Sequence, residues 1–333
     1  MIPVPSEVLE AFAPFYGTTA ARLMYFAAGK EFSDGIVYAY PHGSQGRLLK
    51  LMVIPLAEKQ RGLFHLDERL RFVRYLGENG APIVFPEFSL DGKLYETVEW
   101  EGNVWVGYCM EFVTGKTPNS KLWEPGLFRR WGATIGQLHR LAQAYPTWEA
   151  SIEPESGQPV LTWRDEWESF IGMIPDEGAK NKWLELGEQL KALPVSRDSF
   201  GFIHNDPHIW NLLAEGERIT LLDFDVANHH WFINDVAIAM QSVLFDHSGG
   251  IDRPVKDNAR LLAFLRCFKE GYEQENTLAV EWWERLDLFI AYRRILLFTV
   301  MNGWISSRPS WLRSWKKMIS TQPEVVGKQA RIL

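Results

Sequence analysis

The sequence predicts an α+β protein built in two parts. An N-terminal lobe of antiparallel strands with one helix spans residues 1–113, and a larger, mostly helical lobe spans residues 114–333. Three observations carry this. Apolar runs of strand length, separated by Gly, Pro, Asn and Asp, dominate the first third of the chain. From Leu127 onward, apolar residues recur at three and four positions, the helical period. Inside the helical part, residues 201–225 hold two short apolar runs that each end in acids or amides.

The chain has 333 residues, 46% of them hydrophobic, enough for a core in each lobe. A formal charge of −7 argues against a general nucleic-acid binder, which would be basic. Cys109 and Cys267 are the only cysteines, which suits a reducing compartment and excludes a disulfide framework. The first residues lack a basic region followed by an apolar one, so no signal peptide is predicted. The apolar stretch at 286–305 is interrupted by Asp287, Arg293 and Arg294, and is expected to be a buried helix rather than a membrane span. Together these predict a cytoplasmic protein with no membrane or nucleic-acid partner.

In order, residues 4–13 read as a helix stopped by Pro14, and 22–28, 35–40 and 47–54 as strands. The third strand carries Lys50 between Leu48 and Met52 on one face. A lysine there is costly unless paired, or else the strand lies at an edge and the lysine is solvated. Residues 66–78 have helical spacing, with Asp67 and Glu68 placed in the first turn. These acids either serve the helix dipole or partner Lys50, with Glu68 first and Asp67 second. A hairpin about Glu101-Gly102 joins 93–100 to 103–112. Helices come next at 127–145, 163–174 and 179–193, with a Pro- and Glu-rich loop at 147–161. After residue 225 come helices at 236–245, 258–274, 279–306 and 311–319.

The two runs at 201–225 carry the chemistry. The first delivers His204 and Asp206, with Asn211 five residues after Asp206. The second delivers Asp223 and Asp225, and Gly216 turns between them, so the stretch reads as one tight hairpin-like unit. Phosphoryl transfer needs a carboxylate on the acceptor hydroxyl, and an Asn and an Asp to hold Mg²⁺ on the ATP phosphates. Asp206, Asn211 and Asp223 match those needs in chain order. A zinc site at His204 and His208 is the competing reading. It needs both on one helical face, and Pro207 disfavours helix through Asp206.

The pattern His204-x-Asp206-x-x-x-x-Asn211, then Asp223 and later Asp235, resembles the aminoglycoside phosphotransferase and choline kinase superfamily, which has a bilobal protein-kinase-like fold. The resemblance runs through the chain in element order. It implies ATP and Mg²⁺ as cofactors and a hydroxyl as acceptor. It implies that Lys50 meets the α/β-phosphates and that Glu68 holds Lys50. Leu48 on the third strand, and Met110, Glu111 and Val113 at the hinge, are implied as nucleotide contacts. Gly29 and Ser33 fall in the turn that would cover the phosphates, although that turn lacks Gly-x-Gly-x-x-Gly and on its own reads rather as a plain hairpin turn. His204 and Asp235 are implied as structural residues of the catalytic loop, with Asp235 capping the next helix. His139 is expected to be structural too.

Departures from the family's protein-phosphorylating relatives narrow the acceptor. Asn205 stands where regulated protein kinases carry Arg, and Asp225 where they carry Gly. Only eleven residues lie between Asp223 and Asp235, too few for a long peptide-docking segment. The expectation is an ATP- and Mg²⁺-dependent phosphotransferase acting on a small molecule such as an aminoglycoside, choline or homoserine. A protein Ser/Thr kinase and a catalytically weak pseudokinase are the alternatives. Asp225 is assigned to a second metal or a cationic substrate. Trp231, Phe232, Tyr272, Trp282 and Trp304 are candidates for stacking on the acceptor, with core packing as their other role.

Overall fold

The structure is a computed structural model that describes residues 4–28, 35–43, 45–119, 124–146, 160–248 and 258–327. The chain forms two compact units, Met1–Thr114 and Gly115–Leu333.

In the first unit, helix α1 (Ser6–Phe12) precedes strands β1 (Met24–Ala28), β2 (Gly35–His42) and β3 (Gln45–Pro55). Helix α2 (Lys59–Glu78) then leads to β4 (Pro86–Glu87), β5 (Glu96–Trp100) and β6 (Asn103–Glu111). The sheet is antiparallel in the order β1-β2-β3-β6-β4, with β5 also on β6. Glu101 and Gly102 both have positive φ, 46° and 75°, as the two-residue turn between β5 and β6 requires.

Strand β3 is central, not an edge. Lys50 lies opposite Val37 on one side and Tyr108 on the other, and only 6% of it is exposed. The solvated-edge reading is therefore wrong. Leu49 and Leu51 point into a core with Val8, Phe12, Tyr16 and Trp105. Met52 and Ile54 point to the other face, which α2 covers with Leu66 and Leu70. By alternation Lys50 shares this second face.

Helix α2 starts seven residues before its expected start, at Lys59 rather than at 66. Residues 59–65 are mostly polar, which hid the helical period. Gly62 presses this turn onto β3, where an added Cβ would stand 2.8 Å from Ile54. Asp67 and Glu68 are consequently mid-helix, so neither serves as a first-turn acid. Asp67 pairs with Arg71 at 2.5 Å, while Glu68 is buried.

The second unit opens with α3 (Pro125–Gln143), α4 (Trp163–Ile171) and α5 (Glu177–Lys191). Four short strands come next: β7 (Phe200–Ile203), β8 (Leu212–Glu215), β9 (Arg218–Leu221) and β10 (Asn228–Trp231). Helices α6 (Ile233–Ser248), α7 (Asn258–Tyr272), α8 (Val280–Trp283), α9 (Leu286–Val300), α10 (Asn302–Ser306) and α11 (Pro309–Thr321) complete it. The single helix expected at 279–306 is three pieces, broken where Arg285 and Met301 leave helical angles. The two apolar runs at 201–225 do not form one hairpin either. Strand β9 pairs with β8 around Gly216, whereas β7 pairs with β10. Strand β10 is wholly buried, and a fully apolar signature is missing because it reads Asn-His-His-Trp.

Helices α3 and α7 approach closely through glycine. A Cβ on Gly132 would sit 1.9 Å from the Phe268 carbonyl oxygen, and one on Gly271 1.8 Å from that of Arg129. This contact brings His139 of α3 beside Tyr272 of α7. No helix among the described residues is long and apolar enough to cross a membrane.

The two histidines of β10 make stability depend on pH. Burial lowers His229 to about 4 and His230 to about 3, from an ordinary 6.5. Above pH 6.5 neither state binds the proton. Below it the unfolded chain does and the folded one does not, so folding weakens as pH falls toward 4. Denaturant unfolding measured from pH 7.5 to pH 5 should show a loss of about 2 kcal/mol for each of these histidines. A flat profile would show that both take up protons in the fold as they do in the unfolded chain.

Candidate active site

Strand β7 ends at Ile203 and releases the chain into a loop that is fixed by backbone hydrogen bonds. Asn205 takes a left-handed conformation (φ 64°), which an Asn tolerates better than most residues. This turns the N–H groups of His204 and Asn205 toward the Asp235 carboxylate, which accepts them at 3.1 and 2.8 Å. Asp235 lies in the first turn of α6, is completely buried, and also accepts from His139 Nε2 at 3.2 Å. Here it grips the loop from inside the helix. His139 stacks on Phe232 with 4.4 Å between ring centres, and burial lowers its pKa, which favours the neutral ring. The His139 Nδ1 then accepts from the Tyr272 hydroxyl at 2.9 Å.

His204 uses both ring nitrogens. Nε2–H donates to the Leu222 carbonyl at 2.9 Å, and Nδ1 accepts the Asp206 N–H at 3.2 Å. Neither nitrogen is left for a metal, which removes the zinc reading. Phe224 lies against the same ring, 4.2 Å between centres. His208 Nδ1 accepts the Asn211 N–H at 3.1 Å and so closes the short turn Ile209–Asn211. Burial holds this imidazole below its usual value, against the pull of Asp206.

Asn211 joins the two apolar runs. Its Nδ2–H donates to the Asp206 carbonyl at 3.0 Å, and its own backbone carbonyl accepts the Leu222 N–H at 2.9 Å. Leu222 is thus bonded to both His204 and Asn211, and the next residue is Asp223, exposed and at φ 63°. The loop and the strand end therefore form one hydrogen-bonded ring carrying Asp206, Asn211 and Asp223. With Nδ2 committed, the Asn211 Oδ1 is the atom available to a cation. An amide oxygen and a carboxylate are hard donors of the kind Mg²⁺ takes alongside phosphate oxygens and water.

Several residues here gave no sequence signal as site residues. Arg293 of α9 donates from Nη2 to Asp206 Oδ1, and His208 Nε2 lies 3.4 Å from Oδ2. Glu166, in the first turn of α4, accepts from Tyr292 Oη at 2.8 Å, Asn205 Nδ2 at 2.5 Å and Asn228 Nδ2 at 3.3 Å. Desolvation pushes its carboxyl above the usual range despite these donors. The one available clue was charge inside an apolar helix at Arg293-Arg294. Trp210, between Asp206 and Asn211, stays 48% exposed with its ring against His208.

In the first unit, Lys50 crosses Gly35, where a Cβ would meet its Cε at 2.5 Å. Leu48 lies opposite Met110, and Glu111 opposite Arg47, at the end of the β3–β6 ladder, just before Val113. Gly29 and Ser33 lie outside the described residues. Of the aromatic candidates, Trp231, Phe232, Tyr272 and Trp282 are buried packing residues. Trp304 is partly buried against Trp311 and Arg308.

The sequence profile of the Phosphotransferase enzyme family matches residues 54–275. The chain belongs to this family. It is a phosphotransferase with an alcohol group as acceptor. It is similar to the amicoumacin kinase of Bacillus subtilis (strain 168), 25% identical over 305 residues, covering 89% of this chain and 84% of the relative. Its fold matches that of the amicoumacin kinase hAmiN in complex with AMP-PNP, Ca²⁺ and Ami. That match has a TM-score of 0.84 at 22% identity, over 99% of this chain and 98% of the other. A microcompartment-associated aminopropanol kinase matches at TM-score 0.68 and 17% identity, over 96% and 95% of the two chains. The bilobal kinase-like fold expected from the sequence is the observed one.

Replacing Asp235 by Asn keeps the shape but swaps one acceptor oxygen for a donor facing N–H groups. Asp235→Asn should lower stability by about 2 kcal/mol and cut phosphotransfer more than ten-fold, on the order expected for a charged acceptor lost to buried donors. Denaturant unfolding alongside ATP turnover checks this. Unchanged turnover would mean the loop holds its shape without that carboxylate.

Proposed function

We propose that this protein transfers the γ-phosphoryl group of ATP to a hydroxyl of a small amino alcohol or amino sugar. The observation that carries the reading is the hydrogen-bonded ring linking His204, Asp206, Asn211 and Leu222. It ties the loop that carries Asp206 and Asn211 to the end of β9, directly before Asp223.

In this reading Asp206 accepts the hydroxyl proton as the acceptor oxygen attacks Pγ. The new O–Pγ bond forms while the bond from Pγ to the β–γ bridging oxygen breaks, its electron pair leaving with ADP. Asn211 and Asp223 hold Mg²⁺, which would offset charge on the phosphate oxygens when bound. Lys50 meets the α/β-phosphates and Glu68 holds Lys50. Leu48, Met110, Glu111 and Val113 would contact the nucleotide base. Asp225 serves a second cation or an amine on the acceptor.

The residues after Asp223 support a small acceptor. Residues 228–231 are committed to strand β10, paired with β7, and α6 begins at Ile233. The segment that would dock a peptide is occupied by structure. The relatives named as amicoumacin kinases support a small-molecule acceptor, and the one named for aminopropanol supports an acceptor that joins an amine to a hydroxyl.

ADP release should be measured with ATP and Mg²⁺ against amicoumacin, spectinomycin, 1-amino-2-propanol, choline and homoserine, beside a protein substrate. At least one small acceptor should raise turnover well above the acceptor-free rate. Asp206→Asn should lower that turnover by about 100-fold or more, the scale of losing a general base. A pseudokinase would show equal rates for wild type and variant, and a protein kinase would release ADP above the acceptor-free rate only with the protein substrate.

A further inference from the structure

Helix α9 is almost wholly apolar, yet its middle reads Tyr292-Arg293-Arg294, and all three are buried. Burying a guanidinium is expensive unless a partner is fixed in place for it. For Arg293 that partner is Asp206, the residue assigned as base. Tyr292, its neighbour, donates to Glu166, and Glu166 accepts in turn from Asn205, the neighbour of Asp206. Two consecutive residues of the helix therefore hold two consecutive residues of the loop, one directly and one through a carboxylate. His208 approaches the other oxygen of Asp206.

We infer that Arg293 is a positioning residue for Asp206, and that α9 orients the base through the paired grips Arg293–Asp206 and Tyr292–Glu166–Asn205. The inference rests on the assignment of Asp206 as the base. A carboxyl group turns freely about its last torsion, so an unheld Asp206 would sample many orientations. Arg293 restricts it on Oδ1 and His208 on Oδ2. A carboxylate offers about four lone-pair positions, so both grips leave room for the acceptor hydroxyl. Asp235 fixes the backbone of the loop, and this second device fixes the side chain. A reacting group misplaced by about 1 Å loses about 100-fold in rate, which sets the expected effect.

The test uses hydrolysis of γ-labelled Mg·ATP with water as acceptor, so that it does not depend on which alcohol is the substrate. Wild type, Arg293→Met, Arg293→Lys, Asp206→Asn and the double variant Arg293→Met/Asp206→Asn are compared, with AMP-PNP affinity measured for each. Arg294→Met is the control. Arg294 is also buried on the same helix but donates to the Pro323 carbonyl at 3.4 Å instead.

Arg293→Met should slow turnover by about 100-fold with AMP-PNP affinity unchanged, and Arg293→Lys should restore part of the rate. Arg294→Met should keep the wild-type rate whatever it does to the melting temperature. In the Asp206→Asn background, Arg293→Met should add almost nothing, because residues acting as a unit are non-additive. A full further loss in the double variant would overturn the inference, since Arg293 would then act on the phosphoryl group by itself. So would a loss for Arg294→Met that matches that for Arg293→Met, which would reduce the effect to stability. If Asp206→Asn alone runs at the wild-type rate, the assignment of Asp206 as base fails, and this inference with it.

Discussion

A single buried carboxylate organises the second unit. Asp235 accepts the N–H groups of His204 and Asn205 and the Nε2–H of His139. It is held from behind by a directed chain in which Asn276 donates to Tyr272, Tyr272 to His139 and His139 to Asp235. The chain is consistent only when His139 is neutral, and burial favours that form. The position in the first turn of α6 adds the positive end of the helix dipole. What makes this geometry reachable is the glycine contact between α3 and α7, since a side chain at Gly132 or Gly271 would force those backbones apart.

From that anchor the loop needs few further constraints. With two N–H groups pinned, His204 is aimed at the Leu222 carbonyl, and Leu222 in turn is bonded to Asn211. Buried polar networks of this kind strengthen one another in a low-dielectric interior, and are costly when half satisfied. Phosphoryl transfer relies on positioning and electrostatics more than on covalent chemistry by the protein. A turn whose conformation is set by the chain's own hydrogen bonds suits that demand.

The local pattern of the candidate site was legible because the chemistry proposed for it needs particular residue types at particular spacings. His204, Asp206, Asn211 and Asp223 fall within twenty residues and announce themselves. Arg293, Tyr292 and Glu166 do not, because their partners lie far away in sequence and nothing periodic marks the pairing. The same reason explains the fold errors. The β7–β10 pairing is non-local, and β10 has polar residues where a buried strand would show an apolar run. The start of α2 was hidden because its first two turns are anchored by Gly62 against Ile54 rather than by an apolar stripe. Lys50 was placed correctly by alternation, but only the register of β2 and β6 on its two sides shows that its strand is central.

Locating a bound divalent cation decides whether Asn211 and Asp223 are the metal ligands. A crystal grown with AMP-PNP and Mn²⁺, with the anomalous signal used to locate the metal, decides it. Mn²⁺ is expected on Asn211 Oδ1 and an Asp223 oxygen at about 2.1 Å, the octahedral distance for such ions, with Asp206 off the metal. Metal bound through Asp206, or away from both Asn211 and Asp223, would contradict the assignment.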